Sequence, residues 1–451
     1  MASSTITPAL FAATPFDYLI AGGGTAGLAL AARLSENPKI HVGVIEAGLD
    51  RSADPLVLTP GFVPSQWDNP DYDWIFKTVP QAHGNNRVVG HPRGKQLGGS
   101  SALNFNFWTH ALQQDLEDWS ELGNPGWSWK DLLPYFLKSE TYHAPPAAVS
   151  GQVDTTFIKP PLHGDHGPVQ DSFPPFYDNF YKAWEPTYKA LGLGPTGDPK
   201  GGLAIGAYTT LLTIEPQNAS RSYAATAYYK PNANRPNLKV LTGALATRIT
   251  FQPYTQPLVA TGLAFRVEGK SYTATAKREV VLCAGAFQSP QLLELSGIGR
   301  ASLLESKGVE VLYENSNVGE NLQDQILVPL GFEAAPGEAT LESLRNETVL
   351  GQALAMYTVN HTGPLATGSV STNSYVSYAQ ILDALGKGRW DWRATLLIYT
   401  LPTSRCPLHP LSASVKVHNR LSDSTLISSS FAYIPQIPSS PTQQSTQSSK
   451  L

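Results

Sequence analysis

Residues 16–46 read Phe16-Asp-Tyr-Leu-Ile-Ala21-Gly22-Gly-Gly24-Thr25-Ala26-Gly27-Leu28-Ala-Leu-Ala-Ala-Arg-Leu34-Ser35-Glu-Asn-Pro38-Lys-Ile40-His-Val-Gly-Val-Ile45-Glu46. The apolar run to Ala21 predicts a strand, Leu28–Leu34 a helix and Ile40–Ile45 a second strand. Strand, Gly-rich turn, helix and strand in that order make a βαβ unit. Gly22 permits the tight turn, Gly24 leaves room for a pyrophosphate against the backbone, and Gly27 lets the helix lie close on the strand. The helix N-terminus, at Thr25 and Ala26, offers unpaired N–H groups and a partial positive charge to phosphates. Glu46, with Ala47 after it, ends the second strand, where a carboxylate accepts hydrogen bonds from ribose hydroxyls. A carboxylate there also repels a 2′-phosphate, which argues against NADP. These residues predict a dinucleotide site. They do not choose between FAD and NAD.

The chain has 451 residues, enough for two or three domains. With 41% hydrophobic and 15% charged residues it can bury a large core. A net charge of −4 and the lack of a long Lys/Arg run give no footprint for nucleic acid. The two cysteines, Cys283 and Cys406, exclude a disulfide framework and a Cys-rich metal site, and no metal is expected. Cys283 lies in the apolar run Val280–Ala284 and reads as a small core residue rather than a nucleophile. No apolar stretch is long enough to cross a membrane. Met1–Phe16 reads poorly as a secretory signal, so the sequons at Asn218, Asn346 and Asn360 are expected to be idle.

A second Gly/Ser-rich segment, Gly94-Lys-Gln-Leu-Gly98-Gly-Ser-Ser-Ala-Leu-Asn104, supplies backbone donors and a permissive turn. Phe105-Asn106-Phe107-Trp108 follows it. A third, Gly285-Ala-Phe-Gln-Ser-Pro-Gln-Leu-Leu-Glu-Leu-Ser-Gly-Ile-Gly299, follows the apolar run Arg278–Ala284. With the opening fingerprint, these two segments resemble the signatures of the glucose-methanol-choline (GMC) flavin oxidoreductases. His163–Pro168, Arg221–Tyr228, Asn237–Ala246 and Asn321–Asp324 resemble further family segments, although Gln325 stands where the family has His.

The resemblance implies FAD, and an alcohol substrate oxidised by hydride transfer in specialised metabolism. It implies that Gly98, Asn104, Phe105, Asn106 and Phe107 lie by the isoalloxazine ring, and that Ala246 meets the adenine side through its backbone. Some members join FAD covalently through a His near Asn104; the Asn here implies non-covalent FAD. Trp74 falls where the family often has an aromatic by the cofactor, with burial under a lid as the alternative. The implied fold is α/β: a Rossmann-like FAD domain with an inserted α+β substrate domain and an incomplete C-terminal part.

The resemblance runs from about Tyr18 to about Val417. The family's catalytic His lies in an H-x-x-G-T segment, which has no counterpart here. The expectation is therefore a C-terminally truncated or divergent member, with an FAD-binding but redox-inactive or cyclase-like paralogue as the alternative. His91, His110, His163, His166, His361 and His409 each read as structural or surface residues, with His91 and His110 nearest the flavin segment. No catalytic base is assigned.

Residues 1–50, 90–160 and 225–325 are expected to form the FAD domain, 51–89 a lid, and 161–224 with 326–420 the substrate domain. The Ser/Gln/Thr/Pro-rich stretch 421–451 is expected to be disordered. Ser449-Lys-Leu451 matches a peroxisomal address, with the cytoplasm as the alternative. Oligomeric state is not legible.

Overall fold

The computed structural model describes residues 6–190, 192–203, 205–255, 257–324, 333–338, 340–368 and 372–375. Gln325, Cys406, His409, most of 326–420, the tail 421–451 and its Ser449–Leu451 terminus lie outside the described residues.

Helix α1 (Pro8–Ala13) starts with the Thr7 hydroxyl accepting from the Leu10 N–H and with Pro8 in the first turn. Strand β1 (Phe16–Ala21), helix α2 (Thr25–Leu34) and strand β2 (Val42–Ile45) then form the βαβ unit. The apolar run of β1 is buried on both faces, as a central parallel strand requires. Leu19 packs with Phe11, Phe16 and Ile45 on one face, and Ile20 with Ala31, Val42 and Val44 on the other. Residue i and its neighbour point to opposite sides of a pleated strand, so one hydrophobic run feeds two cores.

Strands β3 (Glu140–His143) and β4 (Val169–Ser172) pair in parallel. This pairing joins Glu140–His143, placed by sequence in the first unit, to a strand placed in the second. Strands β5 (Gly206–Thr209), β6 (Leu238–Leu241), β7 (Leu245–Phe251), β8 (Ala260–Val267) and β9 (Lys270–Leu282) follow, then α3 (Gly285–Leu295) and β10 (Thr372–Tyr375). The principal sheet has the order β6-β2-β1-β9-β8-β7. Its β6-β2-β1-β9 part is parallel. β9–β8 and β8–β7 are antiparallel. The turns after β1 and β9, which neighbour each other, open at the carboxyl edge of the parallel strands, where ligands of open α/β sheets bind. β5 and β10 form a separate antiparallel pair. No helix among the described residues is long and apolar enough to cross a membrane.

Candidate cofactor site

The carboxyl edge of β1 and β9 borders a groove of about 710 Å³. Gly22 turns the chain at φ +103°, a left-handed conformation that favours glycine. A methyl group on Gly22 would collide with the Cys283 carbonyl, and one on Gly27 with the Gly22 carbonyl. Helix α2 therefore starts hard against the strand it follows. Its N-cap is Gly24, and no side chain caps its first turn. The leading N–H groups of a helix have no partner within it, so this turn leaves donors facing the groove at Thr25 and Ala26.

Glu46 borders the same groove. Its carboxylate accepts from the Gly23 N–H at 2.7 Å and the Gly48 N–H at 2.7 Å. It is 6% exposed. Burial drives its pKa up to about 7, against the lowering effect of those backbone donors. Each carboxylate oxygen keeps a lone pair for a ribose hydroxyl.

Gly22, Gly24, Thr25, Ala26, Glu46, Ala47, Trp74 and Ala246 all border the groove, whereas Gly27 lies beneath it as the helix-packing residue. Trp74 is half-buried and stacks on Phe76, ring centroids 6.0 Å apart. The groove is thus walled by an aromatic pair on the side facing α3. These residues fit the phosphate and adenosine half of a dinucleotide.

Only part of the segment expected at the other half lines this groove. Gly94, Gly99 and Ser100 line the groove, but Gly98, Asn104, Phe105, Asn106 and Phe107 do not. Gly98 lies behind it, its N–H bonded to the Gly23 carbonyl at 2.8 Å. Asn104 Oδ1 accepts from Arg221 at 2.9 Å. Phe105 packs edge-on against Trp67. Asn106 is buried, donating to the Thr213 carbonyl at 2.9 Å, and Phe107 bridges to Leu212. The chain bends after Ser100, and residues 106–108 pair with the 211–213 segment. Arg221 holds this bend. Fully buried and with no carboxylate partner among the described residues, it donates to the carbonyls of Val57 and Ser101 and to Asn104. Burial lowers its pKa to about 9.

The opposite wall was missed as a set of contact residues. Cys283 to Ser289 and Gln291 line it, at the start of α3, whose first turn also has no side-chain cap. The signal was in the third segment quoted above, which reproduces the strand-then-helix order of the first. Cys283 is half-buried: it packs against the core of Ile20, Ala31, Val42 and Val44 and also borders the groove, with burial raising its thiol pKa. No histidine lines the groove among the described residues. His91 lies at its rim, edge-on to Phe287. His110 is buried, with Nδ1 3.0 Å from the Lys200 carbonyl.

A second cluster lies in the β3–β4 region. The Lys200 ammonium pairs with Glu140 at 2.8 Å and with Asp171, and the Trp108 indole N–H donates to Glu140. All three charged groups are at most 1% exposed. Burial drives the Asp171 pKa up to about 7. Burial also acts upward on Glu140, but His110 and the ammonium outweigh it and hold that pKa near 2. Glu140, His163 and Asp171 present ligand atoms within 4.8 Å of one another. The ammonium already supplies the cation for both carboxylates. His163 instead bonds Asp198 at 2.8 Å.

A family model described as GMC oxidoreductase matches residues 16–327. The chain is 41% identical over 376 residues to dehydrogenase mpl7 of Monascus purpureus, covering 82% of this chain and 60% of that protein. It is similar in structure to an FAD-dependent oxidoreductase from Chaetomium thermophilum, with a TM-score of 0.71, 32% identity, and coverage of 79% of this chain and 61% of that one. A fungal aryl-alcohol oxidase gives a TM-score of 0.68 at 28% identity, covering 82% and 62%. The chain thus spans about 60% of the length of the Monascus relative.

Proposed function

The chain belongs to the GMC oxidoreductase family, an FAD-dependent family, and from that premise we propose that it oxidises a small-molecule alcohol by hydride transfer to FAD. The observation that carries the reading is the groove bordered by two helix starts without side-chain caps and by Glu46. The flavin, when bound, accepts the hydride. The chain's own residues bind the dinucleotide, orient it and wall it with Trp74 and Phe76. An NAD-dependent reaction would leave the third segment and the Gly94–Ser100 wall unexplained. The likeness to a dehydrogenase and to an aryl-alcohol oxidase supports the alcohol class, and a role in specialised metabolism is part of the same proposal. Asn104 in place of a linking His supports non-covalent attachment, so acid precipitation should release all flavin into the supernatant.

The test is anaerobic mixing of the purified, flavin-loaded chain with a panel of aliphatic and benzylic alcohols. Bleaching of the flavin band is expected with at least one class. Failure to acquire a flavin band after FAD addition would refute the binding itself. A second reading, FAD binding without redox turnover, is favoured by the lack of a groove-lining histidine among the described residues. A bound flavin that no alcohol bleaches, yet dithionite reduces, would select it.

A further inference from the structure

Two charged side chains line the groove among the described residues, Glu46 and Arg93. A dinucleotide brings a pyrophosphate with two negative charges. The helix start at Gly24 offsets about half a charge, and Glu46 adds to the negative side when ionised. Arg93 is therefore the one full positive charge among the described residues lining the groove.

Its placement supports this role. The Arg93 backbone is clamped on both sides: its N–H donates to buried Asp73 at 2.8 Å, and its carbonyl accepts from the Trp74 N–H at 2.9 Å. The guanidinium lies over the Phe287 ring, 5.2 Å from its centroid. One N–H group binds the Pro92 carbonyl at 2.8 Å, and no carboxylate among the described residues pairs with it. The next residue belongs to a stack of backbones. A methyl group on Gly94 would collide with the Gly99 carbonyl, and one on Gly99 would come within 2.8 Å of the Gly24 Cα. The Thr25 hydroxyl also donates to the Gly98 carbonyl at 3.4 Å. Arg93 thus enters the groove beside the segment laid on the phosphate turn, with its fork of donors only partly used.

We propose that Arg93 is the pyrophosphate-pairing residue of this groove, complementing the N-terminus of α2. The inference rests on the dinucleotide reading above, and deepens it.

The test compares ADP with adenosine, titrated calorimetrically into the flavin-free full chain. In Arg93→Gln, ADP affinity should fall at least tenfold, about 1.4 kcal/mol, while adenosine affinity stays within twofold. Arg93→Lys, which keeps the charge but not the fork, should fall between. Equal loss of ADP and adenosine would overturn the proposal, since Arg93 would then only shape the groove. No change in ADP affinity would overturn it as well. If the wild-type chain binds FAD and both ligands while the variant differences are absent, the dinucleotide reading survives and the Arg93 assignment fails.

Discussion

The carbonyl oxygen of Gly22 occupies the space that a methyl group on Gly27 would need. The turn and the helix are therefore in direct backbone contact, and the first donors of α2 reach the groove without an intervening side chain. Gly24 differs: a methyl group there would meet only the Gly99 Cα at 3.7 Å and the Cys283 carbonyl at 3.9 Å, in ordinary contact, and its φ is −81°.

These two positions separate folding from binding. Gly27→Ala should lower stability by about 1–3 kcal/mol, because the helix must move off the strand. Gly24→Ala should leave stability within about 0.5 kcal/mol, yet weaken FAD binding by filling phosphate space. Urea denaturation and FAD titration of both variants check this. Equal behaviour of the pair would contradict the contact geometry.

Glu46 should make FAD binding pH-dependent. Its folded pKa of about 7 lies above the ordinary carboxylate value of 4.5. A raised carboxyl pKa stabilises the flavin-free fold below pH 4.5, and that contribution is lost as pH rises through 7. Ribose hydroxyls donate to the ionised form, so FAD binding should release a proton in this window. FAD affinity should then rise with pH between 5 and 7, by at most roughly tenfold per unit. Glu46→Gln should bind more weakly and flatten the profile. A wild-type profile that is already flat would show that Glu46 is ionised before FAD arrives.

Lys200 should matter for stability out of proportion to its distance from the groove. Lys200→Met leaves Glu140 and Asp171 buried without a cation, at a cost of about 3–5 kcal/mol. Adding Glu140→Gln and Asp171→Asn should recover much of the loss. Denaturant midpoints of the single and triple variants measure it. A single-variant loss below about 1 kcal/mol would mean that the carboxylates protonate without penalty.

Arg221 should affect one half of the cofactor only. Arg221→Lys keeps a charge but cannot hold Ser101, Asn104 and Val57 together. FAD affinity should fall about tenfold as the Ser101–Asn104 segment loosens, with ADP affinity unchanged. Parallel titrations decide it, and a loss shared by ADP would place the effect at the phosphate turn.

The β1–α2–β2 unit and its Glu46 terminus were legible because each feature is local. A period-2 apolar run, a glycine turn and a 3.6-period helix all lie within some thirty residues, and chain connectivity brings them together. The same reasoning could not place Asn104 to Phe107. Their positions depend on pairing with residues 211–213 and on Arg221, more than a hundred positions away in sequence. Nothing in the spacing of Phe105-Asn106-Phe107 announces its pairing with residues 211–213.

What the sequence determined by itself was a dinucleotide fold, its phosphate turn and its GMC resemblance, since these reside in contiguous motifs whose backbone demands few residue types can meet. Only the tertiary structure decided which of the quoted residues touch the groove. It put Arg93 in the lining of the groove, set Cys283 and the first turn of α3 as the opposite wall, and gathered Glu140, Asp171 and Lys200 into one buried cluster. Those outcomes depend on which strands pair and which charges must be neutralised away from water, and both are settled by contacts between segments far apart in the chain.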